Sequence, residues 1–147
     1  VSLDGVRLAI GARGDDGSID GLIDAGAVYL FTFTDFLFGG ATLQSVIGHG
    51  YVGGKNLFVT QIEGGDRFGS SVSLDGNRLA VGAPNDAGAG NTAGFAGAVY
   101  LFSFSNAQFS GGALEAIVGL DYGGGKNIGL ADIQANDRFG TSVSLDG

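Results

Sequence analysis

The stretch DRFGSSVSLDGNRLAVGAP, residues 66–84, contains the features that decide the fold. Its pentapeptide VSLDG (72–76) also occurs 71 residues earlier and 71 residues later. When the first 71 residues are aligned without a gap on the next 71, 35 of the 71 positions are identical. The chain is therefore a tandem repeat. We divide it into a first repeat unit (1–71), a second repeat unit (72–142) and the start of a further unit (143–147).

The centre of that stretch has the pattern of a β-hairpin. Two runs of alternating apolar residues, Ser71–Leu74 and Asn77–Val81, flank the dipeptide Asp75-Gly76, and Asp-Gly between such runs is a strong signal for a tight turn. Pairing across this turn places one set of apolar side chains on a single face of the hairpin. The set is Val72, Leu74, Leu79 and Val81.

The rest of the repeat unit also has the composition of strands. The segment Ala96–Phe104 is apolar at alternate and at successive positions, as expected of a strand that is covered on both sides. Leu114–Tyr122 predicts a further strand, and so do Asn127–Ile133 and its counterpart Asn56–Ile62. No segment has capped helical periodicity, so we predict an all-β fold with almost no helix.

About four antiparallel strands with two apolar faces form a sheet that must pack against another sheet on each side. Blades of a β-propeller do this by radial packing, whereas β-solenoids stack shorter coils of parallel strands. A 71-residue unit that contains a hairpin favours the blade.

The segment 66–84, followed by a loop rich in Gly, Asp and Asn and then by GAVYLF (97–102), resembles the bacterial FG-GAP repeat. That family is related to the propeller of integrin α subunits. The motifs that give the repeat its name are Phe68-Gly69 (FG) and Gly82-Ala83-Pro84 (GAP). They recur as Phe139-Gly140 and, with arginine in place of proline, as Gly11-Ala12-Arg13. The resemblance implies two blades of a β-propeller, or of a longer propeller-like array.

The composition excludes several classes of protein. The chain has 15 acidic and 7 basic residues and a formal charge of −8, so nucleic acid is not an expected partner. It has no cysteine and therefore no disulfide and no thiolate metal site. No apolar run reaches the roughly 18 residues of a membrane span. Thirty glycines beside one proline indicate many tight turns between short strands.

The loop after the second strand is a candidate calcium site. Carboxylate and amide oxygens in a glycine-rich loop suit calcium, and integrin-type blades bind it in loops with alternating acids. Neither loop here has that spacing, and the alternative is a solvated loop in which Asp and Asn cap local turns. The candidate ligands are Asp15, Asp16, Asp20, Asn85, Asp86 and Asn91.

Other motifs have weaker functional interpretations. Arg13-Gly14-Asp15 spells the tripeptide that integrins recognise, but three-residue matches are frequent by chance and the second repeat unit lacks it. The pair Asp66-Arg67, repeated at Asp137-Arg138, and the repeated Arg7/Arg78 are expected to cap turns and to tie neighbouring units together. Phe68 and Phe139 are expected in the core between units.

The sequence offers little material for catalysis. His49 is the single histidine and has Leu120 as its counterpart, and no nucleophile motif is present. We therefore expect no enzyme but a structural or adhesive module of a secreted or cell-surface bacterial protein, for adhesion or for an extracellular fibre. The alternative is a ligand-binding or catalytic propeller with its site in loops at the central mouth. The expected partners are further copies of the repeat and a surface protein or glycan, and the unit is expected to recur beyond both ends of the chain.

The calcium interpretation predicts a thermal response. If Asp15, Asp16 and Asp20 bind calcium, a chelator should lower the melting temperature and millimolar calcium should restore it, because a ligand that binds the folded state stabilises it. Asp15→Asn should weaken that response in calorimetry. Melting that is indifferent to both chelator and calcium would identify the loop as a solvated turn.

Overall fold

The computed structural model describes all residues, 1–147, and contains ten strands in two five-stranded sheets and no helix. The predicted all-β fold is confirmed. The first sheet consists of β1 (Ser2–Asp4), β2 (Arg7–Ala12), β3 (Ala27–Thr32), β4 (Thr42–Gly48) and β5 (Leu57–Phe58). The second consists of β6 (Ser71–Asp75), β7 (Arg78–Ala83), β8 (Ala98–Ser103), β9 (Ala113–Gly119) and β10 (Ile128–Gly129).

Each sheet is an antiparallel meander of four strands with a short parallel fifth strand, since β5 pairs in parallel with β4 and β10 with β9. The fifth strands have two residues each, far fewer than predicted for Asn56–Ile62 and Asn127–Ile133. The Asn56 side chain accepts a hydrogen bond from the Val46 amide at 2.9 Å, in the place of a strand backbone. The backbone ladder therefore begins only after the asparagine.

The hairpin of the second repeat unit forms with a different turn from the predicted one. Asp75 pairs with Arg78, so the two turn residues are Gly76 and Asn77 rather than Asp75 and Gly76. Gly76 has φ of 51°, a conformation that glycine adopts without a steric penalty. A turn at Asp75-Gly76 would pair Leu74 with Asn77, whereas Leu74 pairs with Leu79, so the strand register is shifted by two residues. Because side chains alternate between faces with a period of two, this shift leaves the predicted face unchanged. All four of its residues, Val72, Leu74, Leu79 and Val81, are buried.

The core lies between unlike faces of the two sheets. The second sheet contributes the side that carries Tyr100 and Phe102, which we call the tyrosine face. The first sheet contributes the side that carries Val28 and Leu30, which we call the valine face. Residues one position apart on a strand point to opposite faces, so each sheet also has the other face on its outer side.

The two outer faces are only partly buried. Tyr29 and Phe31 on the first sheet, and Leu101 on the second, are half-buried. The difference is clearest on the first strands, where Leu74 is 5% exposed in the core and its counterpart Leu3 is 50% exposed on the outer side. The same side chains therefore form a core in one repeat unit and a surface in the other.

Phe68 joins the two sheets. Its backbone forms a parallel bridge with Gly26 at the start of β3. Its fully buried ring lies edge-on to Tyr100, with 5.3 Å between ring centroids, and to Phe102, with 6.1 Å. The prediction of a core position is confirmed for Phe68. Phe139 forms the equivalent bridge with Gly97 but stays half-buried, because no aromatic side chains meet it as Tyr100 and Phe102 meet Phe68.

The residues that name the repeat touch each other through the backbone. A Cβ atom built on Gly82 would lie 1.9 Å from the carbonyl oxygen of Gly140, and one on Gly11 would lie 1.8 Å from that of Gly69. No side chain fits at this distance, so the Phe-Gly segment can cross the second strand of its unit only where that strand has glycine.

Polar contacts also link the first hairpins of the two sheets, β1–β2 and β6–β7. Buried Arg7 donates to the carbonyl of Gly76, and its guanidinium lies 5.3 Å from the centroid of the Phe109 ring. The Ser2 hydroxyl accepts a hydrogen bond from the Leu74 amide at 2.9 Å. The prediction that Arg7 ties neighbouring units together is confirmed.

We predict that Phe68→Ala lowers the free energy of unfolding by about 3–5 kcal/mol, because it removes a fully buried ring between the sheets. Denaturant unfolding of the full chain measures the loss. Phe139→Ala is the matched control and should cost clearly less, since its ring is half-buried. Equal losses for both variants would contradict the role assigned to Phe68.

Candidate functional site

The most enclosed carboxylate of the protein is that of Asp86, in the loop after β7. The residue is 2% exposed. Its Oδ2 atom accepts hydrogen bonds from the hydroxyls of Tyr100 and Tyr122, both at 2.8 Å, and its Oδ1 atom accepts one from the Gly88 amide at 2.7 Å. Tyr100 lies on β8 and Tyr122 follows β9, so the carboxylate joins three segments of the second repeat unit. We call Asp86, Tyr100 and Tyr122 the buried tyrosine–aspartate cluster.

The first repeat unit contains the same arrangement 71 positions earlier. The carboxylate of Asp15 accepts hydrogen bonds from the Tyr29 hydroxyl at 2.7 Å and from the Tyr51 hydroxyl at 2.9 Å. The Gly17 amide donates to it at 3.0 Å. This copy is less enclosed, since Asp15, Tyr29 and Tyr51 are half-buried.

Asp86 also orders the loop between β7 and β8, in which it lies. The Asp86 amide donates to the carbonyl of Ala83 at 3.2 Å, and the Asp86 carbonyl accepts from the Gly97 amide at 2.8 Å. The bond from Gly88 to the carboxylate closes an Asx turn two residues on. The loop between β7 and β8 is therefore fixed at both ends by one residue.

Burial perturbs the acid–base properties of the cluster. It raises the pKa of Asp86, an effect that the hydrogen bonds from Tyr100, Gly88 and Tyr122 partly offset. Burial also raises the pKa values of the Tyr100 and Tyr122 hydroxyls, as does the charge of Asp86. The hydroxyls thus stay protonated and act as donors to the carboxylate.

Asp66 is a second buried acid close to the cluster. Burial raises its pKa to about 7, and the charges of Asp86 and Glu63 act in the same direction, although a hydrogen bond from the Glu63 amide opposes them. Its Oδ2 atom accepts that bond at 2.8 Å. The equivalent bond from Gln134 to Asp137 is 2.9 Å long, so the predicted turn-capping role of both aspartates is confirmed.

A cavity of about 360 Å³ lies between the end of the first repeat unit and the loops of the second. Its lining is mostly polar and acidic. Among the lining residues are Glu63, Asp66, Asp86, Asn91, Tyr122 and Asn127.

The remaining candidate calcium ligands have other contacts. Asp16 accepts a hydrogen bond from the Asp24 amide at 2.8 Å, and the Asn91 side chain donates to Glu63 at 2.7 Å. Asp20 is exposed and Asn85 is half-buried. No three His, Cys, Asp or Glu side chains converge in a way that could hold a metal ion, and hydroxyl donors already occupy Asp15 and Asp86. Calcium binding stays a prediction, for which a cation would have to compete with these donors.

The other sequence motifs are dispersed. Arg13 and Gly14 are exposed, whereas the Asp15 carboxylate is directed at two tyrosines. His49 is half-buried with its ring edge-on to Phe58, at 4.9 Å between centroids. Arg67 forms a long ion pair with Asp24, with 3.8 Å between charged atoms.

The sequence interpretation singled out Asp15 and Asp86 but missed the tyrosines to which they bind. A signal was present, because Tyr51 and Tyr122 are identical between repeat units while the positions just before and after them differ. A tyrosine kept at the repeat spacing in a divergent segment indicates a partner elsewhere in the unit.

The raised pKa of Asp66 predicts a pH-dependent stability. An acid with a higher pKa in the folded chain stabilises the fold most below its unfolded pKa, and this contribution is lost as the pH rises through the folded value. For Asp66 the interval extends from about 4 to about 7. We expect the free energy of unfolding to fall across it, relative to Asp66→Asn, by on the order of a few kcal/mol.

Denaturant unfolding at several pH values measures this difference. Asp132→Asn is the control, because Asp132 is exposed, and its profile should run parallel to that of the unchanged protein. A profile of Asp66→Asn that is also parallel would show that the Asp66 carboxyl ionises as an ordinary surface acid does.

Comparison with known proteins gives one match. The model of a family described as the FG-GAP repeat matches residues 60–102, which include Phe68, the hairpin of β6 and β7 and most of β8. No curated protein and no solved structure matches the chain. The matched segment contains the crossing of Phe68-Gly69 into the second sheet and the buried Asp86 and Tyr100. The chain therefore carries an FG-GAP-type repeat across residues 60–102.

Proposed function

We propose that this chain is a structural or adhesive repeat module of a secreted or cell-surface bacterial protein, with each sheet serving as one blade of a β-propeller or of a longer propeller-like array. An FG-GAP repeat is typical of structural and adhesive modules of extracellular and surface proteins, which supports this assignment. No long apolar helix that could cross a bilayer is present.

The contact between unlike faces carries the proposal. The valine face of the first sheet packs on the tyrosine face of the second. The tyrosine face of the first sheet and the valine face of the second are left on the outside, and both are half-buried. The two outer faces thus have the same chemistry as the two that already form the core, so another copy fits at either side.

The positions of the first strands favour radial packing. Strand β6 lies against β1 and β2, whereas the later strands of the two sheets make no comparably close contact. Sheets that approach at one edge and diverge at the other have the geometry of propeller blades. Half-buried Phe139 supports the same interpretation, because it is positioned on the second sheet as Phe68 is on the first.

We also propose that the chain is not an enzyme. Its most buried carboxylate, Asp86, is held by three donors that fix a loop. Its one histidine packs against Phe58 and has no acidic partner among the ion pairs. The expected partners are copies of the repeat, together with a surface protein or a glycan.

This proposal predicts head-to-tail self-association of the full chain. Contacts between unlike faces do not close a dimer by themselves, so sedimentation velocity should show species larger than the 14.7 kDa monomer. Leu101→Asp on the outer valine face and Phe31→Asp on the outer tyrosine face should each prevent this. Circular dichroism of both variants checks that they fold.

A mixture of the two variants is the decisive control. Each keeps the face that the other has lost, so an equimolar mixture should form a heterodimer and nothing larger. A contact between like faces would instead leave each variant able to pair with itself. A well-folded, strictly monomeric unchanged chain would contradict the proposal.

A further inference from the structure

Three of the five arginines of this acidic chain lie around one pocket. It has a volume of about 300 Å³ and no hydrophobic or acidic residue in its lining. The lining residues are Arg13, Arg67, Ser70, Pro84, Asn85, Arg138 and Thr141. Arg13 follows the end of β2, and Pro84 and Asn85 follow the end of β7. Arg67 and Ser70 lie just before β6, and Arg138 and Thr141 are their counterparts 71 positions later. Both repeat units therefore contribute to the pocket.

The charge distribution at this pocket opposes that of the whole chain. With 15 acidic and 7 basic residues, carboxylates would be expected beside most guanidinium groups. Arg13 and Arg138 take part in no ion pair, and Arg67 has only the 3.8 Å contact with Asp24 at the surface. Like charges that gather without counter-charges repel each other, and an anion between them would remove that repulsion.

The backbone fixes two of the three arginines. Arg67 and Arg138 have φ of 56° and 54°, a left-handed conformation that is uncommon for residues other than glycine. The Arg67 amide donates to the Asp24 carbonyl at 3.0 Å, and the Arg67 carbonyl accepts from the Ser70 hydroxyl at 2.7 Å. Thr141 holds Arg138 in the same way, at 2.6 Å. The backbone of the two arginines is therefore held in the same conformation in both repeat units.

We propose that this pocket binds an oxyanion, that is a carboxylate, sulfate or phosphate group. A guanidinium group presents its N–H donors in a planar fork that matches two oxygens of such a group. The Asn85 side chain adds a neutral amide to the lining, whereas the hydroxyls of Ser70 and Thr141 already donate to backbone carbonyls. The volume of about 300 Å³ is about ten times that of one water, so the pocket has room for the molecule that carries the oxyanion.

The inference goes beyond the proposed structural role, because it concerns a ligand and does not depend on which faces pack together. The pocket lies at the ends of the strands near the edge where the two sheets approach. The half-buried outer faces of the sheets do not contribute to its lining.

Isothermal titration calorimetry of the full chain tests the proposal. Sodium sulfate, sodium phosphate and sodium glucuronate are titrated separately at a constant ionic strength set with chloride. We expect saturable binding of at least one of them at one site per chain, and the tightest of the three identifies the oxyanion. Absence of saturable binding for all three would overturn the proposal.

Two substitutions locate the site. Arg13→Gln and Arg138→Gln should each weaken binding by at least about tenfold, which is the lower range for losing a hydrogen bond to a charged group. Arg138→Lys keeps the charge but not the fork, and it should bind less tightly than the unchanged protein and more tightly than Arg138→Gln. Since the lysine variant is conservative, it keeps the test informative where the glutamine variant does not fold.

Arg78→Gln is the matched control. Arg78 is also an exposed arginine, but it pairs with Asp75 and lies outside the pocket. The Arg78→Gln variant should bind the anion with the same affinity as the unchanged protein. If Arg78→Gln weakened binding as much as Arg13→Gln, the anions would be screening the whole surface and the proposed site would be wrong.

Discussion

Burial of the Phe68 ring couples one repeat unit to the next, because the backbone of this residue pairs with Gly26 of the first sheet while its ring lies edge-on to Tyr100 and Phe102 of the second. The ring belongs to one unit by sequence and to the core of the next by packing. This position requires the chain to cross closely over the second strand, which explains why Gly69 and Gly11 meet through their backbones. The stability of each unit therefore depends on its neighbour, as in other repeat proteins.

Much of the fold could be predicted because its pattern is local. Alternating apolar residues and a glycine turn identify the strands β6 and β7, and the 71-residue spacing carries that identification to the first unit. The length of the fifth strands could not be predicted, since β5 begins after Asn56, whose side chain replaces a backbone acceptor, and ends before a turn closed by the Ile62 amide on the Val59 carbonyl. The turn was misplaced by one residue, which shifts the strand register by two, and a register shift of two leaves the same side chains buried.

The candidate site was predictable only in part. Spacing identified Asp15 and Asp86 as repeated acids but could not show that tyrosine hydroxyls surround them, because Tyr122 lies 36 residues from Asp86 in the sequence. Two of the three arginines of the pocket, Arg67 and Arg138, were recognised as repeated residues, yet only the fold brings these counterparts from different units into one pocket. Identical clusters also differ in their degree of burial, which sequence identity cannot show: Asp86 is enclosed while Asp15 is half-buried.

The packing of a valine face on a tyrosine face has a consequence for how such a protein controls its size. Each added unit covers one face and presents an identical one, so the chemistry of the contact does not limit the number of units. The count has to come from the angle between successive sheets, which depends on strand twist and on the ties between β1, β2 and β6. A substitution that alters this angle would therefore change the number of sheets that an assembly holds while leaving the strength of each contact untouched.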